Sequence, residues 1–198
     1  WHRAAIHKPV ITRSVVERVL WPIVQSPAQV NIDGEQIQLE NYKVLCADLR
    51  GTRKDLPENK RILPLHIPKS GYQVITNAQV WDMMEETIKD LGATITSVGT
   101  LERGKKFFIS ISIGDSEMII NKDQYKFFLN IVTSHDGSIT LFLYDSAMRI
   151  VCMNTLRWSM SDKNIGDLQV KIAHKKNAEL AIQNLPEVVN SILTGRTQ

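Results

Sequence analysis

Cysteine is scarce in this chain, long apolar runs are missing, and the common catalytic and nucleotide-binding signatures are not there. Cys46 and Cys152 are the only two thiols in 198 residues. That is too few for a disulfide framework and points to a reducing cytoplasm. No apolar run approaches the roughly 20 residues that a membrane-spanning helix needs, and no signal peptide is visible, so no membrane partner is expected. There is no P-loop and no glycine-rich dinucleotide turn after a strand, and no cofactor is expected. Internal repeats, low-complexity tracts and linkers are missing too, which leaves one domain spanning 1–198. The charge excess is small. A net charge of +3 and a sequence pI near 8.9 describe a mildly basic protein, well short of a polycation.

What is present suffices for a core: 43% of the residues are hydrophobic, so the chain is no disordered tail. Residues 1–22 read as an extended lead-in over Trp1–Pro9, followed by a short helix. Ser14-Val15-Val16-Glu17 has the pattern of a capping box, and Pro22 stops the helix by Trp21. Asp33-Gly34 predicts a hairpin between Ile23–Val30 and Gln36–Leu39, with Tyr42–Asp48 a further strand. The charged stretch Arg50–Arg61 reads as an exposed loop. Ile62–His66 returns to the sheet, at an edge because of Pro64.

Asn77 is expected to cap a helix whose buried stripe is Val80, Met83, Met84, Ile88 and Leu91, closed by Gly92. Alternation then predicts two hairpins. The first is Thr94–Leu101 with Lys105–Ile113, where Phe107, Ile109, Ile111 and Ile113 share a face and Gly114-Asp115-Ser116 ends the strand. The second is Tyr125–Thr133 with Ser138–Tyr144 around the Asp136-Gly137 turn; Tyr125, Phe127, Leu129 and Ile131 alternate with Phe128 and Val132, so both faces are covered. A helix capped by Asp145 or Ser146 follows, with Met148, Val151, Cys152, Thr155 and Leu156 buried and Arg149, Asn154 and Arg157 within one outward arc. Those arginines face a partner, or pair with Asp145 and Asp162. Leu168–His174 is a last strand, and residues 178–198 hold a closing helix restarted at Pro186. The fold class is α+β: a mostly antiparallel sheet of consecutive hairpins with helices packed on it.

Catalytic constellations fare poorly. Cys152 with His135 or His174 has the residue types of a thiol–imidazole pair, but a thiol in mid-helix on the apolar stripe is expected to be buried and structural. His135, Asp136, Cys152 and His174 lack a recognised metal-ligand spacing, and His2 and His7 add nothing. Asp136 and Asp145 flank one strand at opposite ends, roughly 30 Å apart, and cannot share a metal. No catalytic residue and no metal are expected. The basic clusters are Arg103-Lys105-Lys106, Lys122 with Lys126, and Lys171-His174-Lys175-Lys176. With Phe107-Phe108, Tyr72 and Trp158 nearby, they allow nucleic acid as a partner or an ordinary solvated face.

The succession Ser134-His135-Asp136-Gly137 … Arg149-Ile150-Val151-Cys152 … Asn154-Thr155-Leu156 resembles the signature of the phage/plasmid-like family of unknown function (domain of unknown function nine-three-two, YafZ/YfjQ/YubP-type). Gly71-Tyr72-Gln73-Val74 … Asn77, Gly99-Thr100-Leu101 … Gly104-Lys105-Lys106 and Lys171-Ile172 … His174-Lys175 resemble further blocks of that family in order. Trp1-His2 resembles its opening element, although Arg3-Ala4-Ala5 replaces its glycines. The resemblance implies the biology of mobile elements. Its hairpin–hairpin–helix order is similar to the strand-strand-strand-helix core of single-strand annealing recombinases of the RecT and Redβ-like group. On that likeness Arg103, Lys105, Lys106, Arg149, Arg157, Lys171, Lys175 and Lys176 would hold phosphates of DNA, single-stranded by preference, in a homo-oligomer. His135 and Asn154 would line or support the groove. The alternative is a counter-defence protein that occupies a host defence or repair protein, with the Arg50–Arg61 loop at the contact.

Overall fold

Asp33 and Gly34 both take positive φ (53° and 92°), the backbone a two-residue hairpin turn requires. They join β1 (Ile23–Ile32) to β2 (Glu35–Asp48). β2 is one long strand, bent in the left-handed region at Asn41 (φ 64°), where the sequence suggested two strands. β3 (Ile62–His66) pairs with β2 and stands at the sheet edge, which spares Pro64 an unmet ladder bond. The computed structural model describes residues 11–89, 93–120, 123–161 and 165–195. The Trp1–Pro9 lead-in with its His2 and His7, Leu91, Gly92, Lys122 and Asp162 lie outside them, as do the side chains of Ile113, Tyr125, Lys126 and Phe127.

The second sheet runs β4 (Thr94–Leu101), β5 (Lys106–Ile120), β6 (Asp123–Ser134), β7 (Leu141–Ser146) and β8 (Ile165–Ile172), in that spatial order and antiparallel throughout. Among the described residues the eight strands thus form two open sheets and no closed barrel. The expected α+β class of consecutive hairpins holds, divided between a three-stranded and a five-stranded sheet. Gly114-Asp115-Ser116 does not end its strand. The register slips between Ser112 and Glu117, and β5 continues beyond the irregularity.

α1 (Arg13–Val16) runs into a 3-10 turn over Glu17–Val19, so the short helix stops before Trp21 as expected. Its capping box is not formed: Thr12 is the cap, and its hydroxyl lies 3.0 Å from that of Ser14. α2 (Asn77–Lys89) is capped from Thr76, not Asn77. The Gln79 amide donates to Thr76 Oγ1 (3.2 Å), and the Thr76 amide donates back to Gln79 Oε1 (2.9 Å). Asn77 is thereby left for another task.

The largest correction concerns the helix after β7. Asp145 and Ser146 are the buried end of that strand, and α3 is the short Met153–Ser159 helix with Cys152 at its N-cap. A polar ladder keeps the intervening chain out of a helix. Asn130 Nδ2 donates to the Met148 carbonyl (3.0 Å), Ser110 Oγ accepts the Ile150 amide (3.0 Å), and Ser97 Oγ donates to the Ile150 carbonyl (2.6 Å). Ser110 in turn donates to Asn130 Oδ1 (2.6 Å). Backbone groups that a helix would have paired internally are claimed by the sheet, and Ile150 is pressed into the core.

α4 (Ala178–Gln183) and α5 (Leu185–Gly195) join α2 on one face of the large sheet, where Trp81, Met84, Ile182 and Val189 meet Phe107, Ile109, Leu129 and Ile131. The opposite face packs Phe108, Val132, Phe142 and Tyr144 under Ile150 and Leu156. The small sheet has its own cluster of Trp21, Leu45, Leu49 and Leu65. Among the described residues no helix is long and apolar enough to cross a membrane.

Candidate functional site

The Ser134–Gly137 turn sits where the two sheets meet. Ser134 Oγ closes it by donating to the Ile139 carbonyl and accepting the Ile139 amide, both at 2.9 Å. Gly137 takes φ 74°, and a Cβ there would stand 3.4 Å from Nε2 of His66 at the end of β3. Asp136 turns back to accept the hydroxyl and amide of Ser138 (2.6 and 3.0 Å). Burial works against its ionisation, but those bonds and the charge of Lys106 prevail and hold it down at about 2.

His135 points inward and is fully buried. Its Nε2 lies 2.8 Å from Asn77 Oδ1, while Asn77 Nδ2 donates to the Val19 carbonyl (2.6 Å). With the asparagine amide committed to Val19, its oxygen must accept, so His135 carries its proton on Nε2. Nδ1 is buried without a hydrogen-bond partner, and the Trp21 ring lies 5.8 Å away. Burial first and the neighbouring His174 second lower the pKa of His135 to about 4, and Asp136 only partly opposes them. A neutral, enclosed imidazole with its proton engaged is a strut between α2 and the turn.

Tyr72 and His174 extend the joint. Their rings stack at 4.8 Å and 9°, the Tyr72 hydroxyl donates to the Ser134 carbonyl (3.0 Å), and Lys43 of β2 reaches the Tyr72 carbonyl (2.7 Å). His174 lies 3.3 Å from Thr133 and 3.0 Å from the Gln73 carbonyl, and burial lowers its pKa. Lys106 is enclosed as well, paired with Glu102 and lying 3.5 Å from Asp136. Its charge is met inside the fold, which removes it from the set expected to hold phosphates.

Of the remaining basic residues, Lys105 touches this joint through its carbonyl, which accepts the His135 amide at 2.7 Å. Cys152 is exposed at the start of α3, correcting the expectation of a buried thiol. Hydrogen bonds from Thr155 lower its pKa, whereas burial raises that of Cys46. Thr155 Oγ1 also accepts the amides of Val151 and Cys152 (2.9 and 3.0 Å), so this residue of the signature organises the helix start. Arg149 and Arg157 do not share a helix. Arg149 precedes α3 and reaches the Thr96 carbonyl at 3.4 Å; Arg157 is exposed on α3 beside Trp158, which is 63% exposed, and Asn154 is exposed on the same helix. Lys171 of β8 lies over the Phe142 ring (4.7 Å) and rims two grooves. One, of about 350 Å³, runs past Ile139, Phe142 and Met160 toward α3; the other, of about 380 Å³, is edged by Lys175 and Lys176.

Sequence reasoning therefore found two features, not one site: a signature turn with Ser134 and His135 buried, and a basic, partly aromatic face on α3 and the end of β8. Arg103 stands apart from both, on the β4–β5 turn, where Glu102, Arg103 and Gly104 all have positive φ, whereas Lys105 at the end of that turn is bonded through its carbonyl to His135. Asp145 accepts the Leu168 amide (3.0 Å), and Gly166 is packed so closely on its carboxylate that any Cβ would collide with it. Among the described residues no three of His, Cys, Asp and Glu gather into a metal-binding group. Missed by sequence reasoning were Trp21 and Lys43, contributed by the smaller sheet from far along the chain, and the role of Asn77 as a partner of His135.

Two open antiparallel sheets, with helices on both faces of the larger and a signature turn at their joint, define a two-sheet α+β protein. Residues 64–194 match the model of the domain of unknown function (DUF932), and the chain belongs to that family. Comparisons with curated proteins and with solved structures gave no match.

Proposed function

We propose that the protein binds DNA, single strands by preference, and promotes strand annealing in recombination on a phage or plasmid, as a non-enzymatic homo-oligomer in the cytoplasm. The observation that carries this reading is the outer face of α3: exposed Trp158 beside exposed Arg157, with Arg149 before the helix and Lys171 across the adjoining groove. Cations for phosphates next to an aromatic plane for bases is the pairing that single strands need. The succession β5-β6-β7-α3 also supports it, by its similarity to the core of annealing proteins. Lys171, Lys175 and Lys176 extend the track, and Arg103 and Lys105 are its outlying members.

Binding to single- and double-stranded oligonucleotides, titrated with salt, tests the proposal. The expected result is salt-sensitive binding stronger for single strands, lost on Arg149→Glu with Arg157→Glu. Absence of binding at low salt, or indifference to that double change, overturns it. The second reading, a protein that occupies a host defence or repair protein, draws support from the Arg50–Arg61 loop. Arg61 binds the carbonyls of Leu56 and Lys54 (2.8 and 3.1 Å) and so holds this exposed loop in one shape.

A further inference from the structure

Four cations converge on an apolar groove that neither the signature turn nor the α3 face includes. Arg18 comes from the 3-10 turn after α1, Arg53 and Lys60 from the 50–61 loop, and Arg103 from the β4–β5 turn. Between them lies a space of about 430 Å³ with Val19, Leu49, Leu56 and Leu63 at its walls. Among the described residues one carboxylate answers these charges: Asp55, paired with Arg53 at 2.7 Å. Arg18, Lys60 and Arg103 form no ion pair there, and all three are exposed. Like charges gathered around an apolar depression repel one another and leave aliphatic surface in water, which only an occupant both anionic and apolar relieves.

We propose that this groove binds an acidic peptide segment of a partner protein, with one or two bulky apolar side chains seated between Leu56, Leu63 and Val19 and its carboxylates on Arg18, Lys60 and Arg103. The space is too large for a single small anion. Its floor argues for peptide over nucleic acid. Bases need an open planar face to stack on, and Trp21, the only aromatic ring in the groove among the described residues, is 4% exposed and packed against Gly104. The walls are preformed: Arg61 fixes the Leu56 side of the loop, and the Arg103 side is a tight turn with three successive positive φ values. A rigid wall spares the ordering entropy that a mobile loop would lose on binding. This site supplies the contact that the second reading above requires, and Arg103 is the one residue it shares with the DNA reading.

The test is fluorescence anisotropy of a labelled peptide of three aspartates followed by leucine and phenylalanine, at low salt, with the full chain. Saturable binding is expected, weakened roughly tenfold by Arg18→Glu or by Lys60→Glu, and as much by exchanging the peptide's leucine and phenylalanine for serines. It should be unchanged by Arg149→Glu with Arg157→Glu, which keeps it distinct from the DNA face. Both groove positions are exposed; unchanged thermal unfolding will show that the variants fold, and Lys60→Gln should give an intermediate loss. No saturable binding, equal binding of the serine peptide, or indifference to both charge reversals overturns the proposal. So does displacement of the peptide by oligothymidylate whose own binding Lys60→Glu weakens, because the groove would then belong to nucleic acid.

Discussion

Asn77 and His135 lie 58 residues apart in the chain, yet Asn77 Oδ1 accepts the Nε2 proton of His135 at 2.8 Å, with both side chains buried. The first turn of α2 is bolted in this way to the signature turn, and the other end of the Asn77 amide holds the Val19 carbonyl.

Removing that bolt should be costly. Asn77→Ala leaves the buried Nε2–H of His135 and the partly buried Val19 carbonyl without this partner, and a loss of about 2–4 kcal/mol is expected. Urea unfolding measures it. A loss below about 1 kcal/mol would mean that water replaces the amide at no cost.

The same pair makes stability depend on pH. His135 titrates at about 4 in the folded chain and near 6.5 when unfolded. Between these values the unfolded state binds the extra proton, so stability is full above pH 6.5 and falls as pH drops toward 4. The loss from this residue reaches about 3 kcal/mol. His174, also lowered by burial, acts in the same direction. Asp136, held at about 2, adds its own loss only below pH 4. Unfolding midpoints at pH 7.5, 6 and 5 should therefore decline in order, and the slope should flatten in His135→Gln. A flat profile in the parent protein would contradict the neutral, enclosed imidazole.

Gly104 and Gly34 both have positive φ, but their surroundings differ. A Cβ at Gly104 would meet Trp21 at 3.0 Å, whereas nothing lies within 4 Å of one at Gly34. Gly34→Ala should cost about 1 kcal/mol for the backbone alone, and Gly104→Ala about 2–3 kcal/mol. Thermal unfolding of the two variants checks the order; equal costs would show that Trp21 gives way.

The two thiols should react unequally. Cys152 is exposed with its pKa lowered by Thr155, and Cys46 is half-buried with its pKa raised. A thiol reagent at pH 7.5 should modify Cys152 first, and Thr155→Val should slow that reaction. Mass spectrometry of partly labelled protein decides it. Modification of Cys46 first would run against both environments.

Much of this architecture was legible in the chain itself because its signals are local. Asp33-Gly34 can take the two positive φ values of a hairpin turn, Pro64 excludes a central strand, and alternation from Thr94 onward lays out the hairpins of the large sheet. The chain alone also marked Ser134–Gly137 and the Arg149–Leu156 stretch as its signature, although not what those residues do.

Tertiary structure decided what local signals left open or misread. Met148, Val151, Cys152 and Leu156 have helical spacing, but Ser97, Ser110 and Asn130 reach across from three strands to take the backbone groups of Met148 and Ile150. No local pattern reveals that competition, and it alone moves Cys152 from the core to the surface. Lys106 has the composition of a phosphate ligand, and only the fold places Glu102 and Asp136 around it. The groove of Arg18, Lys60 and Arg103 is spread over 86 positions of sequence and exists only because the small sheet packs beside the β4–β5 turn. Sequence determined the hairpins because turn chemistry and period are properties of neighbours. The joint, the grooves and the state of each charge belong to residues that meet only after folding.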